Sequence, residues 1–394
     1  MADDFIGSIA QEDVDFVTEI VKKSKIGDNY KHLAIYTETT QVNPSANFNV
    51  KEDNEGNILY SIAEVTGDNY AEYVAAGGAL KTWLADYFAA GGQESVFIIN
   101  VDGDLTATTP ETYSEARLTV AFNLTKQLAY FKSICIADAD VTTNYATLPS
   151  AAVVLATLCA ADKLLSAPPL LDYQKEVVTE LDDPVYVAVK AASKDAFFSY
   201  AQVVTVDTDK ICHNGAIVSL GLALAVTNDS GTYVSNSFDM VKTDVLDVNA
   251  IYGAPLSPQV QNILKAGNVQ YWKYVGDSTG NVAARGASTI QGSILPALWM
   301  VAFCNYYNKC QVASYLARRN VKKDGVTYNV LLSMLATTAS KFTSIGRISN
   351  FMLTAPAFAN LPPAADDTIV VENAWSGYYV DDLRTVKIYG SLTM

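Results

Sequence analysis

Ser95-Val96-Phe97-Ile98-Ile99-Asn100-Val101 is the stretch on which the fold turns. Apolar side chains follow one another without the polar alternation of a strand that has one wet face. Such a run suits a strand covered on both faces, as in the parallel sheets of α/β proteins. Its flanks agree. Upstream, Ile58 to Val65 predicts a strand, and Tyr70 to Ala90 a helix broken or bent near Gly77-Gly78 and stopped by Gly91-Gly92. Downstream, Thr112 to Leu128 predicts a helix, Tyr130 to Ala137 a strand, and Ser150 to Leu165 a helix ended by Pro168-Pro169. Leu33 to Tyr36 precedes this series as a strand, and Val185 to Val189, Gln202 to Val206 and Val269 to Val275 continue it. Strands and helices that alternate with short turns predict an α/β sheet with helices on its faces.

The remaining segments punctuate that pattern. Tyr173 to Pro184 and the stretch around Asn228 to Gly231 are expected connections, and Gly276 to Gly292 separates the alternating region from the C-terminal hundred or so residues. Helices are expected there over Leu295 to Arg319 and Tyr328 to Thr343. A loop marked by Pro356 and Pro362-Pro363 leads to strand candidates at Thr368 to Val371 and Thr385 to Leu392. The overall class expected is α/β, or α+β over the whole chain, in more than one domain. No internal repeat of fixed period is present.

Length and composition bound the function. With 394 residues, 50% hydrophobic and 18% charged, the chain can bury two or three cores. A net charge of −15 argues against nucleic-acid binding, which needs clustered Lys and Arg. No membrane insertion is expected: the apolar run Leu295 to Cys304 is short and is followed by Asn305 and Lys309. The first residues, with Asp3, Asp4, Glu12 and Asp13, do not have the pattern of a signal peptide, so a cytoplasmic product is expected. Cys135, Cys159, Cys212, Cys304 and Cys310 are odd in number and scattered, which predicts free thiols rather than a disulfide framework.

Few of the chain's motifs fit the patterns that chemistry requires. Gly77-Gly78 and Gly91-Gly92 sit late in helices and lack the spacing of a phosphate cradle. Cys212-His213, with Asp207 and Asp209 upstream, superficially resembles a nucleophile, base and orienter, but adjacent residues usually point apart. The acidic pairs Asp138 and Asp140, Asp182-Asp183, Asp366-Asp367 and Asp381-Asp382 fit turns better than acid–base or cation chemistry. Zinc is not expected with only His32 and His213 beside the scattered thiols. No catalytic residue, metal or cofactor is therefore expected. The alternative kept open is a hydrolase or transferase using one acidic pair.

Other features point to assembly. Tyrosine occurs 23 times, with doublets at Tyr306-Tyr307 and Tyr378-Tyr379, and its large area with a polar tip suits an interface as well as a core. Lys309, Arg318, Arg319, Lys322 and Lys323 form a basic cluster around the end of a helix, favoured there by the helix dipole and equally suited to docking an acidic surface. Val14, Phe16, Val17, Ile20 and Val21 mark a short amphipathic helix or an arm that orders against a partner. Thr385-Val386-Lys387-Ile388-Tyr389-Gly390-Ser391-Leu392 alternates apolar and wetter positions, as a strand at a sheet edge does.

The order of elements in the last third carries a resemblance. Asn268-Val269-Gln270-Tyr271-Trp272-Lys273-Tyr274-Val275-Gly276 precedes Ala284-Arg285-Gly286 and the long helix; Tyr328 to Phe342, Ala355-Pro356-Ala357-Phe358 and the closing strand from Arg384 to Leu392 come after. This resembles the sheath subunit of contractile phage tails and related contractile injection devices. The resemblance implies an inner α/β domain common to the family, an inserted outer domain, and terminal arms that add strands to neighbouring subunits. On that reading 1–30 is an N-terminal arm, 31–175 an α/β domain, 176–260 a second or inserted region, 261–383 the sheath-like domain and 384–394 a strand arm. It implies a helical homopolymer around a tail tube protein, ended by baseplate and tail terminator proteins, in a virion tail assembled in the host cytoplasm. Lys309, Arg318, Arg319, Lys322, Lys323 and Lys341 become the candidates that face the tube. Another virion component, of the capsid or the baseplate, is the remaining alternative.

Overall fold

Residues Leu33–Thr37 (β1) are buried at every position, and the sheet is built around them. The computed structural model describes residues 32–92, 95–102, 115–135, 148–168, 180–200, 203–206, 209–212, 214–225, 242–243, 256–274, 282–317, 321–344, 346–361, 369, 371 and 374–379. With Asn49–Glu52 (β2), Ile58–Val65 (β3), Val96–Asn100 (β4), Phe131–Ile134 (β5) and Leu165–Ser166 (β6), β1 forms a six-stranded sheet in the order β2-β3-β4-β1-β5-β6. β1 runs parallel to β4, from Leu33 opposite Val96 to Thr37 opposite Asn100, and parallel to β5 on its other side. β4 is buried throughout, as its uninterrupted apolar run requires. β3 lies antiparallel to β4, and β2 antiparallel to β3.

Helices Ala79–Ala89 (α1), Glu115–Thr125 (α2) and Leu148–Ala161 (α3) lie between these strands in the chain. Of the two forms expected for the helix over Tyr70 to Ala90, bent or broken near Gly77-Gly78, the structure has the broken one. A single turn at Tyr70–Tyr73 ends at Val74, whose extended backbone bridges Val42, and α1 starts afresh after Gly78. A side chain at Gly78 would begin 2.7 Å from the Gln41 amide oxygen, so any larger residue there would have to displace that amide. α3 also stops before the expected Leu165. Lys163 takes a left-handed φ of 55°, the Leu164 N–H closes on the Cys159 carbonyl, and Leu165–Ser166 turn into the strand beside β5.

The expected strand Val185 to Val189 is a helix, Pro184–Ala191 (α4). Its Val-Tyr-Val-Ala-Val composition suits a strand, but the Asp183 carboxylate accepts hydrogen bonds from the Val185 and Tyr186 N–H groups, both at 2.9 Å, and Pro184 supplies a preset first turn. The extended segment comes later. Phe197 N–H donates to the Ser166 carbonyl at 2.8 Å, while the Tyr200 N–H donates to Gln270 and the Gln270 N–H to Phe198, so the ladder continues past β6. Val203–Val206 (β7) and Asp209–Cys212 (β8) then pair as a hairpin.

Gly215–Ala225 (α5) has no helical signature in its apolar run, yet Asn214 caps it by accepting from the Ala216 and Ile217 N–H groups. α5 packs on α1, and Gly221 is a point of close approach. A Cβ there would lie 2.6 Å from the Tyr87 carbonyl oxygen and 3.3 Å from Ala90 Cβ. Gly221→Ala should therefore push the two helices apart and destabilise the fold by about 1–3 kcal/mol, read as a fall in denaturant midpoint. An unchanged midpoint would mean that the helices have room to spare.

Lys242–Thr243 (β9), Tyr271–Tyr274 (β10) and Val282–Arg285 (β11) form a three-stranded antiparallel sheet in the order β10-β11-β9, with Pro258–Ala266 (α6) before β10. The Gly- and Ser-rich stretch expected only to separate regions thus contains β11. Beyond it lie Leu295–Leu316 (α7), Gly325–Ser344 (α8), Ile348–Leu353 (β12) and Trp375–Tyr379 (β13). Both long helices match the expected ones to within a few residues. The chain forms two compact units, residues 1–306 and 307–394, and the boundary falls within α7.

One group in the first core is unusual. Lys132 on β5 is wholly buried; its Nζ donates to the Thr125 carbonyl at the end of α2, 3.2 Å away, and sits 5.9 Å and 5.7 Å from the ring centres of Tyr36 and Phe122. The ammonium satisfies a carbonyl that the helix end leaves open. Burial pushes its pKa down to about 7.

Candidate functional site

Sheet edges are where a subunit of an assembly can accept a strand, and the edges here differ in chemistry. β2 has all four residues exposed, carries Lys51 and Glu52, and shifts register between them. Charges and a bulge are the usual protection of an edge against unwanted pairing. β12 and β13 form a two-stranded sheet with no charged residue in Ile348-Ser349-Asn350-Phe351-Met352-Leu353 or Trp375-Ser376-Gly377-Tyr378-Tyr379. Met352 is 60% and Tyr378 69% exposed, and Leu353 is also exposed. Among the described residues this sheet has two strands, and a two-stranded sheet with large apolar side chains exposed is marginal in water.

The unit behind this sheet is firmly built. Asp324 caps α8 by accepting from the Thr327 N–H at 2.8 Å, a bond that also holds its carboxyl below the usual range. Thr338 Oγ1 donates to the side-chain amide oxygen of buried Asn308 at 2.6 Å, joining α8 to α7. Tyr328 Oη donates to the Pro356 carbonyl at 2.6 Å and fixes the loop after β12, while the Phe351 and Trp375 rings meet across the strands with centres 5.8 Å apart. Gly377 faces Ile348 so closely that a Cβ would lie 2.8 Å from its methyl group.

Among the basic candidates, Lys322 and Lys323 are exposed just before α8. Lys309 lies on α7; Arg318 and Arg319 are outside the described residues. Lys341 is half-buried on α8, where its Nζ lies 2.6 Å from Tyr307 Oη and over that ring, and the ammonium holds the phenol below its ordinary pKa. Residues 307–394 carry nine Lys and Arg against six Asp and Glu, a net +3 within a chain of −15. The N-terminal set Val14, Phe16, Val17, Ile20 and Val21 and the strand Thr385 to Leu392 also lie outside the described residues.

Among the described residues, the catalytic alternatives find no support in geometry. Asp183 is a buried helix cap. Asp138, Asp140, Asp366, Asp367, Asp381, Asp382 and His213 are outside the described residues. His32 Nδ1 lies 3.0 Å from the Ser95 carbonyl oxygen, while the Ser95 hydroxyl donates to Glu64 at 2.6 Å, which turns the hydroxyl proton away from the imidazole. Among the described residues no three His, Cys, Asp or Glu groups come together as a metal site, and no helix is long and apolar enough to cross a membrane. Cys135, Cys159 and Cys304 are buried thiols, and Cys135 Sγ donates to the Gln41 amide oxygen at 3.7 Å.

The Tyr378-Tyr379 doublet is the one part of the β12–β13 surface visible in the sequence. Phe351, Met352 and Leu353 give no signal, because a short mixed run after a helix reads as loop until its partner strand is seen.

No protein-family model matches the sequence, and comparison with curated proteins finds no match. Solved structures do match. One is a chain of the contracted PVC sheath complex of an extracellular contractile injection system, with a TM-score of 0.57 at 11% identity, covering 93% of this chain and 92% of that one. Another is a chain of the anti-feeding prophage baseplate, with a TM-score of 0.61 at 10% identity, covering 92% of this chain and 94% of that one. Nearly end to end, the chain has the fold found in the contractile sheath complex.

Proposed function

We propose that this chain is the structural subunit of a contractile tail sheath, a protein that polymerises into a helical tube around an inner tube and drives it forward on contraction. The uncharged β12–β13 sheet, with Met352, Leu353 and Tyr378 left in water, carries this reading. It offers a strand-accepting edge to the terminal arms of neighbouring copies, the strand from Arg384 and the N-terminal segment around Val14 to Val21. Strand addition joins copies through main-chain hydrogen bonds, which can persist while the bodies rotate as rigid units. The likeness to a contracted sheath complex over nearly the whole chain supports it.

The remaining roles follow from that one. The site is structural rather than catalytic, and the chain belongs to a tail-like assembly made in a host cytoplasm. An inner tube of acidic surface is the partner of the basic C-terminal unit, with Lys309, Arg318, Arg319, Lys322 and Lys323 the groups nearest to it; Lys341, held by Tyr307, contributes less. Baseplate and terminator proteins close the two ends. A place in the baseplate itself is the second reading, favoured by the likeness to a baseplate chain.

Electron microscopy of the concentrated full-length chain separates the two. The sheath reading expects hollow helical tubes, and Tyr378→Asp raises the concentration needed for them at least about tenfold by placing a charge where a strand must dock. Closed discs of fixed copy number would favour the baseplate, and a persistent monomer would contradict both.

A further inference from the structure

The phenol of Tyr307 on α7 is held by two donors. Lys341 on α8 brings its Nζ to 2.6 Å from Oη and 4.0 Å from the ring centre, and Gln311, one turn further along α7, donates its side-chain amide to the same oxygen. Both donors favour the phenolate over the phenol, Lys341 the more strongly, and they keep Tyr307 below its ordinary pKa against the opposing effect of burial. The scaffold around the pair is fixed. Thr338, three residues before Lys341, donates at 2.6 Å to the buried Asn308 that follows Tyr307. Tyr307 and Lys341 are themselves half-buried, so the pair is partly open to solvent. Tyr186 and Lys190 on α4 show the contrast. Their Oη–Nζ distance is 3.3 Å, and Tyr186 donates to the Gly267 carbonyl, so its hydroxyl proton is already committed.

We propose that Tyr307 is a nucleophilic modification site, its phenol oxygen activated by Lys341 and Gln311, and that it takes small sulfonyl electrophiles. Tyrosine is a weak nucleophile until a neighbour activates it. With a sulfonyl fluoride the oxygen attacks sulfur. The S–O bond forms as the S–F bond breaks, fluoride departs, and the phenol proton goes to solvent, leaving an aryl sulfonate ester. Lys341 serves twice: its charge favours the attacking phenolate, and its remaining N–H groups donate to the departing fluoride. The site goes beyond the sheath reading and does not depend on it, because it needs only the α7–α8 pair.

The test exposes the full-length, unassembled chain to benzenesulfonyl fluoride and follows each tyrosine by peptide mass spectrometry. Tyr307 should be sulfonylated faster than Tyr378, although Tyr378 is 69% exposed and the more accessible of the two. Lys341→Met should slow Tyr307 at least about tenfold, the loss of one hydrogen bond to a charged group, and leave Tyr378 unchanged. Lys341→Arg keeps the cation, so its Tyr307 should react faster than that of Lys341→Met. Tyr378 reacting as fast as Tyr307 in the wild type would overturn the proposal, and this comparison stands even where a variant folds poorly. An unchanged Tyr307 rate in Lys341→Met, or an arginine variant as slow as the methionine one, would overturn it as well. So would a sulfonamide on Lys341 in place of the Tyr307 ester, since the lysine would then be the nucleophile.

Discussion

Lys132→Met is expected to raise the stability of the chain at pH 6 by about 1–4 kcal/mol, an effect of the size seen when buried charge gives way to well-packed apolar groups. The lysine is fully buried, and among the described residues its ammonium is held by the Thr125 carbonyl rather than by a carboxylate. Its folded pKa of about 7 lies below the ordinary 10.5. Between those values the unfolded chain binds a proton that the folded chain does not, so stability rises with pH across that window. Below about pH 7 the lysine is charged in both states and the burial penalty is complete. The advantage of methionine should then shrink by about 1.4 kcal/mol per pH unit above 7. Methionine also leaves the end of α2 without its donor, so the advantage should vanish, or reverse, near pH 10. Buried Tyr36 and Tyr130 titrate high in both proteins and cancel in the difference. Paired urea melts at pH 6, 8 and 9.5 check this, and a difference that does not move with pH would contradict it.

Removing Arg384 to Met394 is expected to abolish polymers while leaving the folded monomer intact. A strand added to an edge contributes several main-chain hydrogen bonds of about 0.5–1.5 kcal/mol each, so its loss should weaken the joining of copies at least about 100-fold. The monomer should melt as before, because a strand given to a neighbour stabilises no contact within its own copy. If the same deletion instead lowered the melting point sharply, the strand would belong to its own chain's sheet. Sedimentation and a thermal melt on the same sample distinguish the two.

Elements differ in how much of them the sequence reveals. Ile58 to Val65 and the core of Ser95 to Val101 are legible because the run of apolar residues sets both their class and their burial. Val185 to Val189 misleads for a physical reason: β-branched residues argue for a strand, and the cap that overrides them, Asp183 with Pro184, lies just outside the run. The same effect hides α5 behind Asn214 and α6 behind Ser257-Pro258, since in each a short polar side chain starts the helix by accepting backbone N–H bonds. β11 is hidden by its Gly- and Ser-rich surroundings, because its pairing with β10 is set by tertiary contact. Of the proposed site, the basic cluster and the two candidate arms are read from the sequence. The β12–β13 sheet proposed as acceptor is not, since an apolar residue such as Met352 looks the same in sequence whether it is buried or exposed.

The central claim is that copies of this chain join by giving a terminal strand to the β12–β13 sheet of a neighbour. Its most direct test is a density map of the assembled polymer, traced through residues 375–394 of adjacent copies. The account predicts a hollow helical tube in which a strand from another copy lies hydrogen-bonded beside β12 or β13, covering Met352 and Tyr378. A map in which that sheet stays bare, or is completed by the chain's own residues 384–394, would contradict it.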